Sequence, residues 1–349
     1  MPLPSRRTSG IVAALLAALT FGLTVPLAKA WFSGVGPWLL AGLLYLGSGI
    51  GLSAWAVLRG RPWSVPLREL PWLAGAVLAG GIVAPVLLLL GLRDVPASTA
   101  SLMLTCEGLF TSLLAWIAFR EHYDRRIVLG FLAIAGGAIT LALAPGSPQS
   151  APLLPVVLVL TACLAWGVDN NLTRVIALAD PIQVAAAKGL VAGLTNTILA
   201  VTLGAQLPAT AVSVLAGVVG FVGYGLSLAL FVYALRELGT SRTSAYFSVA
   251  PFVGALVAVL ILGEPFTGAL MIAGALMGWG VWLHVTEHHL HDHDHHSLEH
   301  EHAHDHDEHH DHQHGDDVVP QGSHTHRHTH APLRHRHAHF PDAHHRHDH

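Results

Sequence analysis

Three ionisable residues lie inside long apolar stretches of the sequence, where a charge is costly. Glu107, Asp169 and Lys188 each fall within one of these segments, and a charge at the centre of a membrane helix costs about 2.5–3.5 kcal/mol on insertion scales. Such groups usually face a partner or a water-filled pathway. Glu107 is therefore a candidate proton or cation site, or else a structural acid that hydrogen-bonds a neighbouring helix.

Asp169 and Lys188 are expected to form an ion pair. Asp169 lies about five residues before the end of one apolar segment, and Lys188 lies about seven residues after the start of the next. Because a helix rises by the same amount per residue, the depths of the two side chains roughly match. Such a pair either takes part in a pathway or only locks two helices together.

Polar and aromatic residues on the same segments are further candidates for lining a pathway. Amides either line it or bond between helices, and aromatic side chains either line a cavity or pack against their neighbours. The candidates are Asn170, Asn171, Asn196, Trp166, Tyr224, Tyr246 and Ser248. Glu121 and Glu264 close two apolar segments and are expected to cap or anchor those helix ends.

A histidine-rich tail follows the apolar part of the chain. Residues 287–349 hold 25 of the 27 histidines, and neutral imidazole is a common ligand of zinc, copper and nickel. The candidate ligands are His291, His293, His300, His302, His304, His306, His324, His326, His328 and His330. With few apolar residues to form a core, the tail is predicted to be disordered without metal. An even number of spans after a cytoplasmic N-terminus predicts that the tail is cytosolic. Nickel, zinc or cobalt binding is either incidental or regulatory, and no cofactor is required.

Composition identifies the elements that must position the core residues. Hydrophobic residues make up 52% of the chain and charged residues 11%, against about 25% charged in a soluble domain. A helix needs about 20 apolar residues to cross a bilayer. Ten segments meet that requirement, at residues 10–29, 37–58, 71–92, 97–119, 127–144, 155–174, 182–203, 211–235, 243–262 and 266–286. The lipid bilayer is the expected environment, and nothing in the charge pattern is typical of nucleic-acid binding.

The basic residues near the segment ends predict the orientation. With the N-terminus in the cytoplasm, the outer side receives only Lys29 and Arg93. The cytoplasmic side receives Arg6, Arg7, Arg59, Arg61, Arg68, Arg120, Arg125, Arg126, Arg174, Arg236 and Arg242. Because cytoplasmic loops carry an excess of Lys and Arg, we expect ten spans in the inner membrane with both termini cytoplasmic.

The chain also contains an internal repeat. The segment 91–121 aligns with 234–264 at an offset of 143, so that Ser98 falls on Ser241 and Glu121 on Glu264. We predict two five-helix domains, at 10–144 and 155–286, joined by a linker at 145–154. Because five is odd, the two copies have opposite orientations, the arrangement on which alternating access is built in many transporters.

These motifs resemble those of the EamA type of the drug/metabolite transporter superfamily. An aromatic-glycine pair with a base seven residues later occurs twice, as Phe21-Gly22 with Lys29 and as Trp166-Gly167 with Arg174. Pro181 followed by Lys188 also fits the family pattern, whereas Leu44 stands where the first copy usually has a base. The resemblance covers residues 10–286 and implies the fold, but it does not define the solute.

The resemblance and the inverted repeat together favour a secondary transporter, without an ATP site, that exports a small organic solute. A divalent-metal transporter is the first alternative; the tail favours it, and the scarcity of ligands within the core disfavours it. A metal buffer or sensor anchored by its helices is the second alternative. The sequence contains no P-loop, nucleophile elbow or Rossmann fingerprint, so we expect no enzyme activity.

Overall fold

The computed structural model describes residues 6–60, 66–119, 125–144, 153–176, 180–238 and 240–286, together with the backbone of 290–295, 298–304, 324–330 and 333–338. The chain forms two compact units, Met1–Glu287 and His288–His349. The first unit is helical throughout its described part. The predicted linker at 145–154 and the candidate ligand His306 fall wholly or largely outside the described residues.

The first repeat supplies five spans. In chain order its helices are α1 Arg6–Gly22, α2 Thr24–Trp31, α3 Pro37–Leu58, α4 Leu70–Ala76, α5 Ala84–Gly91, α6 Ala97–Met103, α7 Cys106–Phe119 and α8 Arg125–Ala142. A 3-10 turn, Leu67–Glu69, precedes α4, and a π-helical segment, Val77–Val83, joins α4 to α5. The first span is α1–α2, the second α3, the third α4–α5, the fourth α6–α7 and the fifth α8.

The second repeat supplies the next five spans. Its helices are α9 Leu154–Val175, α10 Pro181–Thr202, α11 Thr210–Gly220, α12 Ser227–Leu238, α13 Thr240–Phe247, α14 Ala250–Leu260 and α15 Gly268–Val285. A π-helical segment, Phe221–Leu226, joins α11 to α12. The sixth and seventh spans are α9 and α10, the eighth is α11–α12, the ninth α13–α14 and the tenth α15.

The ninth span differs from the uninterrupted helix expected at 243–262. Across the described chain, nine helices are long and apolar enough to cross a membrane, and Ala250–Leu260 is a shorter apolar helix. The interruption falls just before Pro251, which lies in the first turn of α14. Because Pro251 has no N–H, the helical hydrogen bond from residue 251 to residue 247 is missing, and α13 ends at Phe247. The fourth span breaks at the repeat-related place, between α6 and α7.

The helix contacts follow the inverted repeat. The first span packs on the eighth and the ninth, and the repeat-related sixth span packs on the third and the fourth. The second span packs on the seventh, and the fifth on the tenth. These pairings are those expected of two halves related by a two-fold axis in the membrane plane. The structure therefore confirms an all-helical membrane fold built from two five-helix repeats.

Glycines allow the repeat-related spans to touch through their backbones. A Cβ on Gly49 would lie 2.4 Å from the backbone nitrogen of Leu190, and one on Gly189 would lie 2.7 Å from Gly49 itself. In the same way, Gly280 would place a Cβ 2.7 Å from the carbonyl oxygen of Gly130. Membrane helices associate largely through such close packing, so these crossings join the two halves.

The tail contains short strands where the sequence predicted a disordered segment. They are β1 Leu290–His295, β2 Leu298–His304, β3 His324–His330 and β4 Leu333–Ala338. β1 pairs antiparallel with β4, and β2 with β3. The register sets His291 opposite His337 and Asp292 opposite Arg336. Extended pairing suits this sequence because alternation with a period of two matches the period of a strand.

The helical bundle has two ends, named after Glu264 and Arg59. The Glu264 end carries the chain connections at 32–36, 92–96, 203–209 and 261–267, and at the Arg59 end α3 and α9 end and α4 and α10 begin. Reporter fusions at Pro148 and at the C-terminus are expected to report the outside and the cytoplasm, respectively, because the basic residues concentrate at the Arg59 end. A C-terminal reporter active only outside the cytoplasm would show that this topology is wrong.

Candidate functional site

A cavity of about 280 Å³ lies among the second, sixth, seventh and eighth spans. Its walls carry an ammonium group, an amide, hydroxyls and two phenol rings. The lining residues are Tyr45, Ser48, Asn170, Thr173, Ile176, Pro181, Val184, Ala185, Lys188, Gly189, Tyr224 and Leu228. Because Ile176 lies just after the end of α9 and Pro181 is the first residue of α10, the cavity extends toward the Arg59 end.

The ion pair expected from the sequence is present. Lys188 Nζ lies 2.5 Å from Asp169 Oδ1 and 2.7 Å from Oδ2. Thr173, one helical turn after Asp169, donates its hydroxyl hydrogen to Oδ1 at 3.0 Å. The pair joins the sixth and seventh spans, and Asp169 is buried whereas Lys188 reaches the cavity.

Gly80 makes room for this carboxylate. A Cβ at that position would lie 1.9 Å from Asp169 Oδ2, so a side chain there would displace the carboxylate. Gly80 lies within the π-helical segment of the third span. The i→i−5 hydrogen bonds of such segments distort the helix locally, and they are frequent at functional sites.

The same π segment accepts hydrogen bonds from three other spans. Tyr45 Oη donates to Gly80 O at 2.8 Å, and Trp166 Nε1 donates to the same oxygen at 3.0 Å. Asn196 Nδ2 donates to Gly81 O at 3.0 Å. Backbone carbonyls within a membrane must find donors inside the protein. The hydrogen bonds of Trp166 and Asn196 therefore stabilise the π-helical segment of the third span.

Glu107 bonds to the cavity wall through an amide. Asn170 Nδ2 donates to Glu107 Oε1 at 3.0 Å and to Thr111 Oγ1 at 3.1 Å. In the described part of the chain, Glu107 has no basic side chain within ion-pair distance. Asp169 is neutralised by Lys188, whereas the charge of Glu107 is not. The carboxyl is thus available to take up a proton or to face a cationic group near the cavity.

Asn170, Lys188 and Tyr224 are the sequence candidates that line the cavity. Trp166 and Asn196 bond the third span instead, and three further candidates bond or pack elsewhere. Asn171 donates to Thr111 O at 2.9 Å and to Gly167 O at 2.8 Å, which ties the sixth span to the fourth. Tyr246 packs against a small buried cluster of the first and eighth spans. Ser248 lies in the turn that divides the ninth span.

Several cavity-lining positions were not predicted from the sequence. Tyr45 and Ser48 lie on a span without Asp, Glu, Lys or Arg and gave no signal of their own. Thr173 follows Asp169 by four residues, which places the two side chains on the same face of a helix. This spacing was the sequence feature that could have predicted their contact.

The core residues do not assemble a metal centre in the part of the chain that the structure describes. No group of three or more His, Cys, Asp or Glu side chains there is placed to hold an ion. Both cysteines are free and buried. Cys163 donates to Met103 O at 3.4 Å, at the residue where the fourth span breaks.

The two inverted five-helix repeats, and the cavity between them with its few polar groups, define a polytopic membrane protein of the transporter class. Residues 8–143 and 153–286 each match the model of the EamA-like transporter family. The chain belongs to this family.

Curated relatives extend over most of the chain. An uncharacterized transporter of Methanothermobacter thermautotrophicus is 30% identical over 80% of this chain and 86% of its own. A probable terminal-alkyne amino-acid exporter of Streptantibioticus cattleyicolor is 30% identical over 62% of this chain and 73% of its own. A probable amino-acid metabolite efflux pump of Salmonella typhimurium is 26% identical over 78% of this chain and 93% of its own.

One solved structure shares the fold. It is 20% identical, has a TM-score of 0.59, and covers 79% of this chain and 96% of its own. These comparisons establish a membrane transporter fold and are consistent with small organic solutes as cargo.

Proposed function

We propose that the protein is a secondary exporter of a small organic solute of the amino-acid type, and that it is not an enzyme. The cavity between the repeats carries this proposal. Its volume of about 280 Å³ is near the lower bound of roughly 300 Å³ for ligand pockets. It therefore suits a solute of a few heavy atoms better than a large drug.

The chemistry of the walls suits a zwitterion with an apolar side chain. Lys188 lines the cavity as an ion pair with Asp169 and is the group that would meet a carboxylate. Asn170 connects the wall to the Glu107 carboxyl behind it, which would meet an ammonium group. Tyr45 and Tyr224 lie with ring centroids 5.4 Å apart and offer an apolar surface. The names of two relatives, both probable exporters of amino-acid-type compounds, support the same class.

Alternating access follows from the inverted repeat. The cavity extends toward one end of the bundle, and exchange of conformations between the two halves would open it to the other. We propose that the Arg59 end faces the cytoplasm of a cell bounded by an inner (plasma) membrane, so that the solute enters the cavity from inside.

The test is efflux from proteoliposomes loaded with single radiolabelled amino acids. Export of at least one amino acid above protein-free vesicles is expected, with competition by unlabelled solute. Loading with Ni²⁺, Co²⁺ or Zn²⁺ in parallel vesicles tests the metal alternative. Efflux of a metal ion, with every amino acid retained, would overturn the proposed solute class.

Glu107→Gln is expected to impair transport more than folding. The substitution keeps a group that can accept from Asn170 and removes a charge that has no cationic partner in the described residues, so it should not destabilise the protein. If Glu107 carries the coupling proton, efflux loses most of its dependence on pH. The measurements are a melting curve and efflux at several pH values, and full flux at every pH contradicts the proton-site hypothesis.

We also propose that the tail binds divalent metal ions and regulates the core without forming part of the pathway. The strand register supports the first half of this proposal. It sets His300 opposite His328 and His302 opposite His326, and directly opposite positions of an antiparallel pair share a face. Histidine positions two residues apart along one strand share that face as well.

A further inference from the structure

The Glu264 end of the bundle is closed by two charged side chains that hold one loop. This loop, residues 92–96, joins the third span to the fourth. Lys29, from the first span, donates to Leu92 O at 2.9 Å and also to Val95 O. These carbonyls follow the end of α5, where a cation interacts favourably with the helix dipole.

A carboxylate from the second repeat holds the other side of the loop. Glu264 Oε1 accepts from Ala97 N at 2.7 Å, and Oε2 accepts from Ser98 N at 2.8 Å. Those amides open α6, whose N-cap residue, Pro96, has no side-chain cap. A carboxylate at a helix N-terminus satisfies donors that the helix leaves free and is favoured by the dipole. The sequence expectation was that Glu264 caps the end of its own span, whereas its side chain caps the start of α6 in the other repeat.

The backbone of Glu264 is itself fixed. Gly263 adopts a φ of 69°, a conformation that side chains other than glycine rarely allow. Glu264 N then donates to Ala258 O at 3.2 Å. The loop between α14 and α15 thus presents the carboxylate in a defined position.

A tight packing contact lies on the same α6 helix that Glu264 caps. A Cβ on Gly254 would lie 2.7 Å from Gly22 O and 2.7 Å from Ser101 Oγ. The first, fourth and ninth spans therefore meet at nearly backbone contact, with Ser101 only 1% exposed. This contact leaves no room for a solute to pass among these three spans.

We propose that Glu264 and Lys29 form the gate of the Glu264 end, which is closed in this structure and must open for the solute to leave there. The proposal rests on the alternating-access function given above. Both contacts join spans that border the closed end, and one of them crosses between the repeats. Movement of the repeats against each other therefore has to break the contact of Glu264 with α6.

The gate is tested by cysteine labelling in a Cys106→Ala/Cys163→Ala background. Ser101→Cys reports the closed end and Ala185→Cys reports the cavity, and both are treated with a maleimide in purified protein. With Glu264 and Lys29 intact, Ala185→Cys should react fast and Ser101→Cys slowly. Glu264→Gln should raise the labelling rate of Ser101→Cys roughly 5- to 30-fold, the population change expected from losing a capping contact.

Glu69→Gln is the matched control, because it makes the same substitution in the turn before α4, at the Arg59 end and outside the loop that the gate holds. It should leave both labelling rates unchanged. An unchanged Ser101→Cys rate in folded Glu264→Gln, or an equal rise in Glu69→Gln, overturns the gate. If Glu264→Gln does not fold, Lys29→Gln is labelled instead and the same criteria decide.

Labelling does not depend on the solute. If no amino acid is exported but Glu264→Gln raises the labelling rate as expected, the transport proposal is contradicted and the gate proposal is not. Normal amino-acid efflux with no labelling change contradicts the gate alone.

Discussion

Lys188→Met is expected to abolish efflux and to lower the free energy of unfolding by about 3–5 kcal/mol, the usual cost of breaking a buried pair by removing one partner. The loss of stability arises because Asp169 is 5% exposed and would keep a charge with no cation beside it. The loss of efflux arises because Lys188 is the basic group among the cavity-lining residues. Chemical denaturation and proteoliposome efflux measure the two effects separately.

A double variant separates the locking role of the pair from a role in transport. Asp169→Asn/Lys188→Met removes both charges, so it should recover most of the lost stability. If the pair binds the solute, efflux stays absent although the protein is folded. If the pair only joins the sixth and seventh spans, efflux returns together with stability, and the assignment of Lys188 to the solute site is then wrong.

Arg68→Met serves as the control for loss of a base. The Arg68 side chain is 83% exposed, and its contact with Glu69 is long, at 3.8 Å. Exposed ion pairs contribute only about 0–1 kcal/mol. This variant should therefore keep both its stability and its efflux.

The sequence predicts this ion pair because depth in a membrane helix can be counted along the chain. Asp169 and Lys188 lie at matching distances from the reversal that joins their helices, and few other charges compete for them. The same counting predicts the spans, because apolar length is set by the thickness of the bilayer. The repeat then predicts which spans are equivalent.

Contacts between a side chain and a distant backbone are not visible in the sequence. The acceptors of Trp166 and Asn196 are carbonyls of a π segment, and its register depends on packing rather than on residue type. Glu264 is identifiable as a capping residue, but the helix it caps belongs to the other repeat. Tyr224 and Tyr246 are both tyrosines within apolar segments of the second repeat, yet Tyr224 faces the cavity and Tyr246 does not. Sequence alone does not distinguish these two environments.

Truncation after Thr286 is expected to remove most of the bound nickel or zinc and to leave insertion and efflux intact. The deleted part carries 25 of the 27 histidines, while the described core residues hold no group of three or more ligands. At three or four ligands per ion, the tail has an upper limit of about six to eight ions. Metal analysis of the purified protein, before and after truncation, gives the measurement.

The pH dependence of this binding has a definite sign. A histidine must lose its proton to bind a metal ion, and its unperturbed pKa is about 6.5. Most of the imidazoles are therefore neutral at about pH 7 and protonated at about pH 5.5, so metal should be released as the pH falls across that interval. Full occupancy at the lower pH would indicate that the ligands are carboxylates instead.

A matched full-length variant separates the chemistry of the tail from its length. Replacing two of the three opposite histidine pairs of β2 and β3 with glutamine keeps the backbone length and removes ligands at the register positions His300, His302, His326 and His328. If opposite histidines share an ion, this variant loses more metal than one in which four histidines at 309–314 are replaced. If truncation instead abolishes efflux of every solute while the protein stays folded, the tail belongs to the pathway. Metal transport would then replace amino-acid export as the function of this chain.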